Sequence, residues 1–259
     1  MKKLRNLLSL SLLGVASSVS AAEIWNHSFN ATGQLRWNGF DSGGTSVYVQ
    51  KTNGPSVSYN GAGGQFNGYF YTDNVESSDE FFRFFCIDLS QVATGGPFTY
   101  EASILQSSAL ARLFDIAYPN KALGDFYNGA ATGFGQFSSG ILSSAFQLAV
   151  WEIFFESEAS FSLAGGTFMS NTSANSVGKD REKAVAQADA WLTDLNAGEG
   201  SASGWMLYKF SNDSKQDYLS ATYRPVPEIA RLNSVPEPGT LAMLGLGIVA
   251  LGAMRRRQR

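Results

Sequence analysis

Near residue 100 the chain changes hydrophobic period, and that change most limits the folds open to it. Residues 24–71 alternate short Val, Tyr and Phe runs with Gly, Asn and Ser clusters; Ser46-Val47-Tyr48-Val49-Gln50, for example, precedes Thr52-Asn53-Gly54-Pro55. Asn-Gly and Gly-Gly steps punctuate strands, so this part is expected to be strands and turns. Residues 80–89 are strongly apolar and aromatic and read as a buried strand. Beyond them the spacing is helical. Leu105, Ala109, Leu113 and Ala117 predict a helix over 102–118 that stops at Pro119, and apolar positions 142, 145, 146, 149, 150 and 153 predict a second over 139–156. A third is expected over 180–196, with Val185, Ala188, Trp191, Leu192 and Leu195 on one face and Gly198 as the stop. Segments 205–210 and 218–223 look like a closing hairpin. The expected fold class is α+β: a strand-rich N-terminal part, sandwich or distorted barrel, a helical insertion, a closing C-terminal hairpin and then a membrane helix.

Both ends carry export signals. Met1-Lys2-Lys3-Leu4-Arg5, the apolar run 7–15 and the small-residue stretch 16–22 have the three-part layout of a secretory signal peptide, with cleavage after Ala21 or Ala22. At the other end Val235-Pro236-Glu237-Pro238-Gly239 precedes an uncharged run, 240–254, and then Arg255-Arg256-Arg257-Gln258-Arg259. At about 1.5 Å per residue that run makes a helix of roughly 22 Å, short for a hydrocarbon core of about 30 Å. Arginines behind it stay in the cytoplasm and put the preceding chain outside.

The order Pro-Glu-Pro, apolar helix, arginine tail resembles the PEP-CTERM sorting signal of Gram-negative bacteria, usually makers of exopolysaccharide. The resemblance implies recognition by an exosortase, a membrane protease-transpeptidase, with processing near Pro236, Glu237, Pro238 and Gly239. The implied route is export, transient anchoring in the inner membrane, then the cell surface or extracellular matrix. The expected organisation is a signal peptide (1–22), one domain (23–224), a linker holding the motif (225–239), a transmembrane helix (240–254) and a cytoplasmic tail (255–259).

Composition excludes several chemistries. The chain is 44% hydrophobic and 13% aromatic, with one cysteine and one histidine. A core is therefore affordable, while a disulfide framework, a zinc site of several thiolates and a His-rich metal site are not. A Ser-His-Asp hydrolase has only His27 to draw on. The formal charge is −3 overall; without the two sorting ends, 12 basic face 21 acidic residues and the domain stands at −9. Such a charge disfavours nucleic acid and anionic lipid. No cofactor and no metal is expected, and no turnover enzyme. Glu152 and Glu156, one helical turn apart, are the carboxylate pair a glycoside hydrolase would use, though a solvated helix edge explains them as well. Asp73, Glu76, Asp79 and Glu80 lack the spacing of a calcium loop.

The single cysteine of an exported chain calls for an explanation. Cys86 sits among aromatics in Phe84-Phe85-Cys86-Ile87-Asp88, and the plain reading is a buried small hydrophobe. Together with Gln147-Leu148-Ala149-Val150-Trp151, however, Phe85-Cys86-Ile87-Asp88 resembles the thioester domains of bacterial surface adhesins. In them a strand Cys is joined to the side chain of a Gln in a Gln-x-Ala-Ile/Val-Trp motif. The resemblance implies a Cys86–Gln147 cross-link that reacts once with an exopolysaccharide or other surface nucleophile. Phe85 and Phe146 would exclude water, Trp151, at i+4 from Gln147, would roof the bond, and Asp88, two residues along the strand, would face the pair. The alternative is a noncovalent matrix- or exopolysaccharide-binding module in which Cys86 is merely buried.

Overall fold

Period-2 alternation builds the larger layer. The computed structural model describes residues 30–52, 56–71, 81–91, 93–120, 134–156, 160–170 and 179–223, all within one compact unit, Ser28–Val226. Six strands close into an antiparallel barrel: β1 (Asn30–Phe40), β4 (Phe66–Tyr71), β5 (Phe81–Cys86), β9 (Tyr218–Tyr223), β8 (Trp205–Ser211) and β6 (Phe98–Leu105), in that order round the ring. Closure gives every barrel strand a hydrogen-bonded neighbour on each side. A second, three-stranded sheet runs β3 (Val57–Gly63), β2 (Thr45–Lys51), β7 (Phe168–Ser170). Of the two strand architectures expected, the barrel is the one formed, and the closing hairpin is β8 with β9, paired from Trp205↔Tyr223 to Phe210↔Tyr218.

Inside the barrel the alternation is filled by aromatics. Phe82, Phe84 and Cys86 of β5 share its inner face; Phe84 meets Tyr218 at 4.7 Å between centroids and Phe82 meets Phe210 at 5.1 Å. Such pairs contribute about 0.5–1.5 kcal/mol each beyond the area they bury. Phe85, on the outer face, is also fully buried, because three helices cover that side: α1 (Ser108–Ala117), α2 (Gly140–Phe155) and α3 (Lys179–Asn196). Under them Phe85, Phe114, Tyr118, Phe134, Phe137 and Phe146 form a second aromatic cluster, in which Phe85 and Phe146 lie 4.6 Å apart.

Two boundaries differ from the expectation. Residues 102–105 are strand, not helix; α1 starts at Ser108, its N-cap Ser107 accepting a hydrogen bond from the Leu110 amide at 3.2 Å. Leu105 has the helical spacing, yet β6 pairs with both β1 and β8, and two ladders outweigh a weak local preference. The strand expected over 80–89 stops at Cys86. The second and third helices stand where the periodicity put them, and Gly198, at φ +93°, is the left-handed stop after α3. The signal peptide, the Pro-Glu-Pro segment, the C-terminal run, His27 and the acids at 73, 76, 79 and 80 lie outside the described residues. No helix among the described residues is long and apolar enough to cross a membrane.

Candidate functional site at the barrel mouth

Antiparallel order brings the ends of β1 and β5 and the starts of β4 and β9 to the same mouth of the barrel, with Phe40↔Phe66, Phe66↔Phe84 and Cys86↔Tyr218 as its last rungs. Beyond Phe66↔Phe84 strand β4 parts from β5, so one edge of Cys86 loses its strand partner. Helix α2 supplies the replacement. Gln147 Oε1 accepts the Cys86 amide at 3.0 Å and its Nε2 donates to the Cys86 carbonyl at 2.8 Å. One carboxamide thus repeats both bonds of a strand neighbour. The preceding turn of α2 does the same for the next strands: Ser143 Oγ accepts from the Gln65 amide at 2.6 Å, and Ser144 Oγ accepts from the Thr45 amide at 2.7 Å and donates to the Gly63 carbonyl. All three side chains are fully buried.

The helix comes this close because residue 64 is glycine: a Cβ there would stand 2.5 Å from Ser143 Oγ, whereas one on Gly63 would only reach ordinary contact with α2, 3.4 Å from Gln147 Cγ and Trp151 Cη2. Trp151 lies one turn beyond Gln147, 3% exposed, and meets Tyr59 edge-on at 5.8 Å. Cys86 is free, and burial pushes its thiol well above the ordinary range, with the negative charge of Asp88 adding to the shift. The neutral thiol is therefore the resting form, which protects it from oxidants that require the thiolate.

Cys86, Gln147, Trp151 and Asp88 all line one pocket of about 280 Å³. Asp88 arrives by a different route from the one expected: it is past the end of β5, in the following turn, where its Oδ1 accepts from the Ser90 amide and hydroxyl, both at 2.7 Å. Gln216 clamps the same turn by donating to the Asp88 carbonyl. Phe85 and Phe146 are not in the pocket lining. Strand alternation turns Phe85 away from Cys86, and the two rings belong to the aromatic cluster under the helices. Glu152 and Glu156 do not reach the pocket lining either. Glu152 Oε1 accepts from the Ser162 amide at 2.7 Å and Glu156 Oε2 from the Thr167 amide at 2.7 Å, so both carboxylates tie the 160–168 loop to α2. Among the described residues no group of three His, Cys, Asp or Glu could hold a metal ion.

The sequence reading missed the rest of the lining, chiefly Trp37, Phe40, Tyr59, Gln91 and Gln216. Only the Gly61-Ala62-Gly63-Gly64 run hinted at a close approach there.

Residues 234–258 match the family model of the PEP-CTERM protein-sorting motif. The protein is thus an exported one, sorted by an exosortase toward the cell surface or the extracellular space. No curated protein and no solved structure matches the chain.

Proposed function

We propose that the domain attaches covalently to a surface or matrix nucleophile through an internal thioester between Cys86 and Gln147, after transient anchoring of the chain in the inner membrane. The observation that carries this reading is the pair of hydrogen bonds holding the Gln147 carboxamide on the Cys86 backbone at the wall of a pocket. An amide is inert to a thiol in solution; fixed orientation is what makes the attack feasible. The Cys86 N–H bonded to Oε1 polarises the carbonyl and stabilises the oxyanion that attack would create. In the first step sulfur bonds to the Gln147 side-chain carbonyl carbon, the C–N bond breaks, and the thiol proton leaves with the nitrogen as ammonia. In the second an incoming hydroxyl or amine bonds to that carbon, the C–S bond breaks, and the proton of the nucleophile returns to Cys86 as thiol. The neutral thioester also suits a site where burial disfavours a thiolate.

The test is the intact mass of protein purified from cells expressing the full chain. A deficit of one ammonia is expected, abolished in Cys86→Ala and filled by methylamine at Gln147. Full mass together with an alkylatable thiol in denaturant would sink the reading. A second reading, a noncovalent matrix-binding module, draws on the same two bonds, because they leave the buried carboxamide satisfied without any reaction.

A further inference from the structure

Both steps of the thioester chemistry proposed above move a proton. In the first it goes from the Cys86 sulfur to the nitrogen that leaves; in the second it goes from the entering nucleophile to the sulfur. Burial sets the need for a carrier. It holds the Cys86 thiol well above the ordinary range, so the sulfur neither attacks nor leaves readily as a thiolate, and each transfer must keep pace with the bond change.

Few groups in the pocket can take a proton and give it back. The described lining holds no lysine, arginine or histidine. Tyr59 is committed elsewhere: its hydroxyl donates to the Ala62 carbonyl at 2.7 Å, and burial raises its pKa, so it is no base at neutral pH. The carboxamides of Gln91, Gln147 and Gln216 do not titrate. That leaves Asp88, the one carboxylate among the described lining residues. Its two oxygens differ. Oδ1 accepts from the Ser90 amide and hydroxyl, both at 2.7 Å, whereas Oδ2 has no hydrogen-bond or ion-pair partner among the described residues. Neighbouring groups pin the backbone of this turn. The Ile87 amide donates to the Asp217 carbonyl at 3.0 Å, and Gln216, which donates to the Asp88 carbonyl, has its own carbonyl held by the Tyr100 hydroxyl at 3.1 Å. The carboxylate is thus fixed two residues from Cys86 in the wall of the same pocket. Its negative charge reaches the thiol, where it adds to the upward shift.

We propose that Asp88 is the catalytic proton carrier of the Cys86–Gln147 pair, working through Oδ2 in both steps; the proposal rests on the thioester reading above. When sulfur bonds to the Gln147 side-chain carbonyl carbon, Oδ2 takes the thiol proton and hands it to the nitrogen, the C–N bond breaks, and ammonia leaves. When a hydroxyl or amine enters, Oδ2 takes its proton as the new bond to carbon forms, and gives that proton to the sulfur as the C–S bond breaks. Asp88 ends each step as the carboxylate it was at the start. The two steps run one transfer in opposite directions, so one group serves both.

The experiment uses protein purified from cells expressing the full chain. Intact mass reads the ammonia deficit and the rates at which methylamine and hydroxylamine add at Gln147. At neutral pH methylamine is mostly a cation and hydroxylamine mostly uncharged. Asp88→Asn keeps the Oδ1 acceptor for Ser90 and loses the base; it is expected to slow both additions at least about 100-fold. In Asp88→Ala, formate is expected to restore the deficit and both additions, which a purely structural role for the carboxylate would not allow. An Asp88→Asn chain that never shows the deficit fails at the first step, and formate decides that case in the same way. Unchanged rates in Asp88→Asn, slowing of methylamine alone, or no rescue by formate each overturn the proposal and leave the thioester. Full mass in the unaltered chain removes the thioester and the proposal with it.

Discussion

At Gln147 one side chain does the work of a strand. Its two bonds to Cys86 satisfy a buried N–H and a buried C=O, and each group left unpaired there would cost about 1–3 kcal/mol. Gln147→Glu separates the two bonds. One carboxylate oxygen still accepts the amide, while the other faces the Cys86 carbonyl and, once ionised, has nothing to donate. Burial raises the pKa of such a carboxyl in the folded state above its unfolded value of about 4.3. Below that value the acid is protonated in both states and donates to the carbonyl as the amide did. As pH rises from there to the folded pKa, only the unfolded state gives up its proton, and stability falls by about 1.4 kcal/mol per unit. In a Cys86→Ala background, where no cross-link forms, calorimetric melting is expected to show Gln147→Glu close to its parent at pH 4 and well below it at pH 7. Equal gaps at the two pH values would show that the carboxamide's donor is not what matters.

At the scale of elements, polar side chains near helix and strand ends do the joining. Arg112 on α1 donates through Nη2 to the Leu195 carbonyl at 2.8 Å and through Nε to the Glu199 carbonyl at 2.9 Å, so its planar fork caps the C-terminus of α3. Arg112→Ala is expected to cost about 1–3 kcal/mol, lowering the melting temperature by about 2–4 °C for each kcal/mol in a domain of this size. Arg112→Lys is expected to recover less than half of that, because one ammonium cannot bridge carbonyls on two sides of the turn; full recovery by Lys would reduce the contact to charge alone. Helix α2 was legible in the sequence because its apolar positions, 142 to 153, repeat over about three turns, and Gln147 with Trp151 followed from its register. The β6–α1 junction was not, since Leu105 continues the helical spacing backwards into a strand that two neighbours hold. Asp88 reached the pocket by a turn and not by alternation. Trp37, Gln91 and Gln216 were out of reach for a different reason: they come from separate strand ends and loops that only the barrel's closure brings to one mouth.

For the whole molecule the decisive fact is where the chain leaves the barrel. Strand β9, the last one described, is inserted between β5 and β8, so the ring closes only when residue 223 has been delivered. The match to the sorting motif begins at residue 234, so ten residues, 224–233, separate the two. With residues 234–239, which precede the apolar run at 240, the connection to the membrane segment is 16 residues and spans at most about 55 Å when fully extended. In the proposed order of events the folded domain therefore waits close to the membrane when the exosortase reaches Pro236-Glu237-Pro238, and its charge of −9 keeps it off an anionic lipid surface without holding it far away. Spacer length then becomes a measurable constraint. Deleting residues 226–233 is expected to press the barrel against the membrane-bound protease and make the unprocessed precursor accumulate, while doubling the same stretch leaves processing unchanged. The precursor-to-product ratio, followed by intact mass after a pulse of synthesis, reads both arms. Equal processing of the shortened and lengthened chains would mean that the motif is cut before the barrel folds, and would move sorting ahead of the formation of the Cys86–Gln147 contact.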